Sequence, residues 1–169
     1  MTTHDFLAPN QVRQLFIHQL NRVNCTKGYL IRNLPKLAEI ASFKNMQMAI
    51  MEAHEDVKKQ QARIDRIYNL LGSEPSDEGC EVVKAVIDEA HNLGYKDGKT
   101  TVMNDMDIIL YMQMIENMEY TSFRMLKLIN QFMGDDQITQ LLAECCDENV
   151  DNAHLFTLIS EEYLVKKTN

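Results

Sequence analysis

The sequence predicts an all-α protein built as a four-helix bundle, and three observations support that prediction. Apolar residues recur every 3.6 residues in four long segments, and no stretch alternates with a period of two for long. Glycine and proline are scarce, at 6 and 3 residues, which is too few for a β-protein with many tight turns. The 169 residues match one domain, so we expect a single domain over 1–169 with frayed ends at 1–9 and 166–169.

The first two long segments form one predicted helical hairpin. The first runs from about Asn10 to Ala41, and Pro35 inside it predicts a kink or a break near Asn33. Ser42 is a candidate N-cap for the second helix, and Gly72 is a natural C-terminal stop. The apolar positions of the first helix are Val12, Leu15, Phe16, Leu20, Val23, Leu30, Leu34 and Leu37.

The second half of the chain repeats this hairpin after a long connection. The third long helix is predicted over about Val102–Met133 and the fourth over about Asp136–Val165, with Gly134 as the stop between them. The connection, residues 72–101, holds a shorter helix over about Glu78–Leu93 and then the loop GYKDGKTT. One long crossover between two hairpins is the connectivity of ferritin-like bundles. The sequence therefore predicts a ferritin-like four-helix bundle with a short extra helix in the crossover.

Charge and composition exclude several classes of partner. Acidic residues outnumber basic ones by 25 to 17, and the net charge of −8 repels phosphate backbones and anionic membrane surfaces. No segment approaches 18 consecutive apolar residues, and the first ten residues lack the pattern of a signal peptide. We expect no nucleic acid, no membrane and no identifiable small-molecule substrate.

The four cysteines suggest a reducing environment. They are Cys25, Cys80, Cys145 and Cys146, and no CxxC motif occurs among them. A zinc site would need clustered Cys and His residues, which this sequence lacks. We interpret all four as reduced thiols that serve as small apolar residues, which fits a cytoplasmic protein.

Polar residues interrupt the predicted core faces near the middle of the helices. On the third long helix, Glu116 and Glu119 stand within an apolar stripe, and two carboxylates on a core face need a cation, a proton or water. A slightly rotated helix would instead leave both half exposed. Lys27 occupies the midpoint of the first helix, and Asp56 and Gln60 flank the stripe of the second. His54 lies beside that stripe and fits a histidine at the rim.

The fourth helix allows two interpretations. One stripe contains Glu148 and the other Asn149. The Glu-x-x-His motif of di-metal bundles does not occur. Asp-x-x-His occurs twice, and we interpret both instances as surface pairs. They are Asp88 with His91 and Asp151 with His154.

Five segments resemble the bacterial ferritin-like stress proteins of the YciE and YciF type. The resemblance extends from about Leu15 to Tyr163. It implies a ferritin-like bundle, usually dimeric, with a di-metal carboxylate site and no settled reaction. The segments are LFIHQL at 15–20, LPKLAEIAS at 34–42, QARIDRIYNLLGSEP at 61–75, IENMEYTSF at 115–123 and DEN at 147–149.

The resemblance also implies a ligand pattern that this chain keeps only in part. The glutamate pair of the third long helix is intact as Glu116 and Glu119. The pattern has two adjacent glutamates on the fourth helix, where this chain has Glu148 and Asn149. The remaining departures are Lys27 in place of glutamate, Ala53 in place of histidine and Asp56 in place of glutamate.

These departures favour a metal-free protein over a metalloenzyme. In the first hypothesis the chain is a stress-associated dimer with no catalytic residue, in which Lys27 replaces the metal beside a remnant ligand set. That set is Asp56, Glu116, Glu119 and Glu148. In the alternative, altered ligands still bind two iron or manganese ions and support oxidoreductase chemistry. Lys27 opposes this alternative because a cation among the ligands repels a dication by several kcal/mol at roughly 4 Å.

Two further expectations concern interactions between proteins. A helical adaptor stays open as a third interpretation, because the 11 methionines suit adaptable interfaces as well as cores. An apolar surplus on the short helix and the first helix predicts a homodimer. The residues of the short helix concerned are Val82, Val83, Val86 and Ile87.

Overall fold

The computed structural model describes residues 7–76, 79–95 and 102–165. Within these ranges the chain forms five helices and no β-strand, so the all-α prediction is confirmed. The helices are α1 (Pro9–Ile40), α2 (Lys44–Leu71), α3 (Glu81–Tyr95), α4 (Val102–Met133) and α5 (Asp136–Leu164). None of the described helices is long and apolar enough to cross a membrane.

The four long helices pack as a ring of antiparallel neighbours. Helix α1 contacts α2 and α4, and α5 contacts the other sides of α2 and α4. Contacts between distant residues give the directions: Arg13 reaches Leu71 at one end of α1, and Ser42, just beyond the other end of α1, reaches Asp105. Helices α2 and α4 therefore run in the same direction at opposite corners. Helix α3 belongs to the long connection between α2 and α4, and it packs against α1 and α4.

The core consists of two apolar clusters. The first contains residues from the end of α1, the start of α2, the inner face of α3, the start of α4 and the end of α5, including Leu34, Ile50, Ile87, Met112 and Phe156. The second lies at the opposite end of the bundle and includes Phe16, Ile64, Phe123, Ile138 and Leu142. Close packing of these clusters orients the four long helices, so the residues between the clusters have fixed positions.

Ser42 does not cap α2 as predicted. Phe43 occupies the N-cap position and makes no capping hydrogen bond with its side chain. The backbone N–H and the hydroxyl of Ser42 both donate to the carboxylate of Asp105, at 2.9 and 2.5 Å. The prediction is wrong because the buried carboxylate of Asp105, 63 positions further along the chain, is a stronger acceptor for both groups.

Pro35 does not break α1, which runs without interruption from Pro9 to Ile40. A proline has no N–H to donate to the carbonyl four residues earlier, which is that of Ile31. Nε2 of His54, on α2, lies 3.1 Å from this carbonyl oxygen and must be the donor, because a carbonyl only accepts. His54 is 9% exposed, so it is more buried than a rim histidine. Its ring supplies the hydrogen bond that Pro35 removes.

The prediction of four reduced thiols is wrong for one pair. Cys25 and Cys80 form a disulfide with a Cα–Cα distance of 5.8 Å, which is within the usual range. Cys145 and Cys146 are free and buried. The sequence does not predict this disulfide, because its two cysteines are 55 positions apart and only the packing of α3 on α1 brings them together. The expectation of a reducing cytoplasm relied on four thiols, so the disulfide removes that support.

The ends of the helices follow the predicted stops with small differences. Gly72 and Gly134 both adopt positive φ, at 59° and 75°, as a C-terminal stop requires. Helix α3 begins at Glu81, three residues later than predicted, and continues past Gly94. The predicted loop over 94–101 is wrong at its start, because Gly94 and Tyr95 belong to α3, and residues 96–101 lie outside the described residues. Of the predicted frayed ends over 1–9 and 166–169, Pro9 already belongs to α1, and residues 1–6 and 166–169 lie outside the described residues.

Candidate functional site

Five polar side chains lie buried between the two apolar clusters, and we call them the central polar layer. Lys27 and Gln60 are fully buried, and the other three are at most 3% exposed. All four long helices contribute to the layer. Its members are Lys27 of α1, Gln60 of α2, Glu116 and Glu119 of α4, and Asn149 of α5.

Helical spacing places these residues on the inward faces of their helices. Each member occurs within a run of buried apolar residues that are three or four positions apart, so its side chain shares their inward face. On α1, for example, Lys27 lies between the buried residues Val23 and Leu30. A polar residue in such a position cannot turn to solvent without moving the apolar residues beside it.

The ammonium of Lys27 is the centre of the layer. It forms an ion pair with Oε1 of Glu119 and donates a hydrogen bond to Oε1 of Gln60. It also lies 4.9 Å from the centre of the Phe123 ring, where the negative face of the ring attracts a cation. The structure thus brings Lys27 and Glu119 together, and it adds Gln60 as a neutral acceptor.

Glu116 is held differently from Glu119. Nδ2 of Asn149 donates to Oε2 of Glu116 at 2.7 Å and lies 3.5 Å from Oε2 of Glu119. Burial raises the pKa of Glu116 to about 8, and the charge of Glu119 adds to this increase. The hydrogen bond from Asn149 and the charge of Lys27 act in the opposite direction but are weaker.

The layer is close to neutral at pH 7. Glu116 carries a proton for most of the time below its pKa of about 8, and the charges of Lys27 and Glu119 cancel. One ammonium can neutralise only one of two neighbouring carboxylates. The second carboxylate is therefore held neutral by a proton.

The other two members of the predicted remnant set face other cations. Asp56 pairs with Lys59 at 2.7 Å, and the Asp56 side chain is 16% exposed. Glu148 pairs with Arg63 at 2.8 Å, and its side chain is 19% exposed. Neither forms a hydrogen bond or an ion pair with Lys27, whose partners are Glu119 and Gln60. Of the two adjacent residues on α5, Asn149 is therefore the one that enters the layer.

The donor set of the layer does not fit a pair of metal ions. Divalent iron and manganese need several acceptor oxygens or imidazoles. The layer has the carboxylate oxygens of Glu116 and Glu119, but it has no imidazole, and the ammonium of Lys27 and an amide N–H of Asn149 already contact these oxygens. The buried atoms without a hydrogen-bond partner are of both kinds: Nε2 of Gln60 and Nδ2 of Asn152 are donors, and Oδ1 of Asn149 is an acceptor. Across the described residues, no three His, Cys, Asp or Glu side chains are arranged to hold a metal ion. Ala53, at the position where the resemblance implies histidine, is buried and offers no ligand.

Both Asp-x-x-His pairs lie away from the layer. Asp151 and His154 are exposed on α5. Asp88, exposed on α3, accepts a hydrogen bond of 2.5 Å from the Tyr29 hydroxyl, and its partner His91 is only partly buried. Burial and then this hydrogen bond raise the pKa of Tyr29 to about 12.

A comparison with protein families shows which family the chain belongs to. A family model described as a domain of unknown function, DUF892, matches residues 11–169. The chain belongs to the DUF892 family. No curated protein sequence matches the chain.

Three solved structures share the fold. The stress protein YciF of Escherichia coli is 24% identical, with a TM-score of 0.86 over 92% of this chain and 98% of that chain. YcfI of Rhodopseudomonas palustris is 22% identical, with a TM-score of 0.79 over 93% of this chain and 98% of that one. A protein of Xanthomonas campestris is 16% identical, with a TM-score of 0.63 over 91% and 96%. The resemblance to the YciE and YciF type is confirmed.

A second site with a buried carboxylate was not predicted from the sequence. Asp105 of α4 is fully buried near the start of that helix and accepts from Ser42 and from the hydroxyl of Tyr163, at 2.5 Å. Burial and then the hydrogen bond to Asp105 raise the pKa of Tyr163. The position of Asp105 three residues before Ile108 and four before Ile109, both core residues, is the signal that could have revealed it.

Proposed function

We propose that this chain is a ferritin-like, stress-associated helical-bundle protein in which Lys27 replaces a di-metal centre. One observation carries the proposal: the buried ammonium of Lys27 contacts Glu119 and Gln60 inside the layer to which every long helix contributes. An ammonium can hold a buried carboxylate in its ionised form without a metal. The proposed role is therefore structural, and it requires no catalytic residue.

The ferritin-like and stress-related parts of the proposal have separate support. Parallel α2 and α4, joined by a long connection that includes α3, fit the single crossover of ferritin-like bundles. The similarity to YciF, a stress protein, supports a role under stress for this member of the same family type.

The proposal includes a homodimer, although its original basis has changed. Val83 and Ile87 of α3 are buried within the chain, so the apolar surplus of this helix is mostly covered. The outer face of α4 instead exposes a line of large apolar side chains, which supports a contact with a second copy. These are Leu110, Met114, Met125, Leu128 and Phe132.

Metal loading in solution tests the central part of the proposal. The protein is incubated without oxygen in ferrous or manganous salt, desalted, and measured by elemental analysis. We expect the native chain to retain less than one metal ion per chain, because Lys27 repels a dication. We expect Lys27→Glu combined with Ala53→His to retain more, because it exchanges the cation for two ligands.

A surface variant controls for the change in net charge. Lys36 is an exposed lysine of the same helix, and Lys36→Glu removes the same positive charge without touching the layer. The variant Lys36→Glu should retain as little metal as the native chain. Two ions per native chain would instead support the alternative, a working di-metal protein with altered ligands.

A further inference from the structure

The disulfide joins α1 to the beginning of α3. Cys25 lies two residues before Lys27 on α1, and Cys80 immediately precedes α3. The carbonyl of Cys80 accepts from the N–H of Lys84 at 3.1 Å, so Cys80 belongs to the first turn of that helix. The disulfide therefore fixes the position of this turn on α1.

An open groove runs from the surface to the central polar layer beside this disulfide. The groove lies between α1 and α4 and has a volume of about 560 Å³. The first turn of α3 forms one of its walls, with Cys80 and Glu81 in the lining. Glu119, the partner of Lys27, also lines the groove although it is only 3% exposed. The groove thus leads towards the buried ion pair.

The two ends of α3 are attached to the bundle in different ways. Beyond the first turn, Ile87 and Ala90 are fully buried in the apolar cluster, and Asp88 is bonded to Tyr29. At the first turn, Glu81 and Val82 are exposed, and the attachment relies on Cys80 and Val83. Breaking the disulfide would release the first turn while the rest of α3 stays packed.

We propose that the Cys25–Cys80 disulfide is a redox-controlled tether that holds the first turn of α3 in place as a wall of the groove. A dithiol reductant breaks the S–S bond and supplies two electrons and two protons. Cys25 and Cys80 become thiols, and the two sulfurs of the reductant join in a disulfide of their own. A small disulfide such as oxidised glutathione reverses the change through two exchange steps.

The reductant can reach this disulfide but not the other cysteines. Cys25 is partly exposed, and Cys80, although only 6% exposed, lines the open groove. Cys145 and Cys146 are buried, and burial raises the pKa of both thiols, which makes them poor nucleophiles at neutral pH. Redox exchange is therefore confined to the tether.

Hydrogen exchange of oxidised and reduced protein tests the proposal. Samples are treated with oxidised glutathione or with dithiothreitol, and thiols are counted by alkylation in denaturant. We expect two thiols in the oxidised protein and four in the reduced protein. On reduction, the amide of Lys84, whose hydrogen bond to Cys80 closes the first turn of α3, should exchange at least about tenfold faster. Amides near Arg63, on the opposite side of the bundle, should not change.

The variant Cys25→Ser/Cys80→Ser is the matched control. It should exchange like the reduced native protein, and dithiothreitol should have no further effect on it. Four thiols after oxidation would overturn the proposal, and so would equal exchange at the first turn of α3 in the two native samples. The comparison of native samples does not require that the variant folds. Metal content plays no part in either outcome.

Discussion

Two sites in this bundle stabilise buried carboxylates in different ways. At the start of α4, the single carboxylate of Asp105 accepts from the backbone and hydroxyl of Ser42 and from Tyr163. In the central polar layer, Glu116 and Glu119 are neighbours: the ammonium of Lys27 pairs with Glu119, and the amide of Asn149 donates to Glu116. Hydrogen bonds from uncharged donors are enough for the first site, whereas the second needs a cation and a proton.

The difference shows what a second carboxylate adds. Neutral donors stabilise one buried charge, but they do not remove the repulsion between two charges. The layer reduces that repulsion by ion-pairing Glu119 with Lys27 and by raising the pKa of Glu116. A ferritin-like bundle with metal would use dications for the same purpose, and this is why we regard Lys27 as their replacement.

Removing the cation should have the largest effect. Lys27→Met leaves the carboxylate of Glu119 buried without its partner, and we expect a loss of about 3–5 kcal/mol in unfolding free energy. Urea unfolding followed by circular dichroism measures this loss. Lys27→Met/Glu119→Met should recover most of it, because no unpaired charge remains. Lys36→Met, on the surface, should stay within about 0.5 kcal/mol of the native chain.

The proton on Glu116 should make stability depend on pH. The pKa of Glu116 is raised to about 8 in the folded protein. The contribution of its proton to folding stability is therefore complete at low pH and is lost as the pH rises towards 8. The variant Glu116→Gln has no carboxyl group to titrate at this position. Relative to it, the native chain should lose up to about 1.4 kcal/mol of unfolding free energy per pH unit between about pH 5 and pH 8. Unfolding curves for both proteins across this interval give the difference. A constant difference would show that Glu116 is already ionised in the folded protein.

Replacing Asp105 should destabilise the protein less than replacing Lys27. Asp105→Asn replaces the charge but keeps one acceptor oxygen, so we expect a loss of about 2 kcal/mol. It should also lower the pKa of Tyr163, which burial and the hydrogen bond to Asp105 now raise. Ultraviolet titration of the tyrosines measures this, with Tyr163→Phe to assign the signal. An unchanged titration would mean that Asp105 does not act on Tyr163.

The smallest effect should come from a neutral hydrogen bond without any carboxylate. His54→Phe keeps an aromatic ring but leaves the carbonyl of Ile31 without the donor that replaces the N–H absent at Pro35. We expect a loss of about 1 kcal/mol, and thermal unfolding measures it. Pro35→Ala in the same background restores a backbone donor and should reduce the loss. If His54→Phe costs the same in the Pro35→Ala background as in the native chain, the two residues are not coupled.

The sequence predicted the helices well because periodicity and glycine stops are local signals. It identified Lys27, Glu116 and Glu119 as inward polar residues for the same reason. It could not decide between Glu148 and Asn149, because one position on a helix is a rotation of about 100° and only packing fixes it. The disulfide and the contact between Ser42 and Asp105 join residues 55 and 63 positions apart, and no local pattern reports such distances.

A crystal structure after soaking in manganous or ferrous salt tests the central claim most directly. Anomalous data collected at the absorption edge of the metal locate any bound ion. The account predicts no anomalous peak in the central polar layer, with Nζ of Lys27 within hydrogen-bond distance of Glu119 and Gln60. A metal ion coordinated by Glu116 and Glu119, with Lys27 turned away from them, would contradict it.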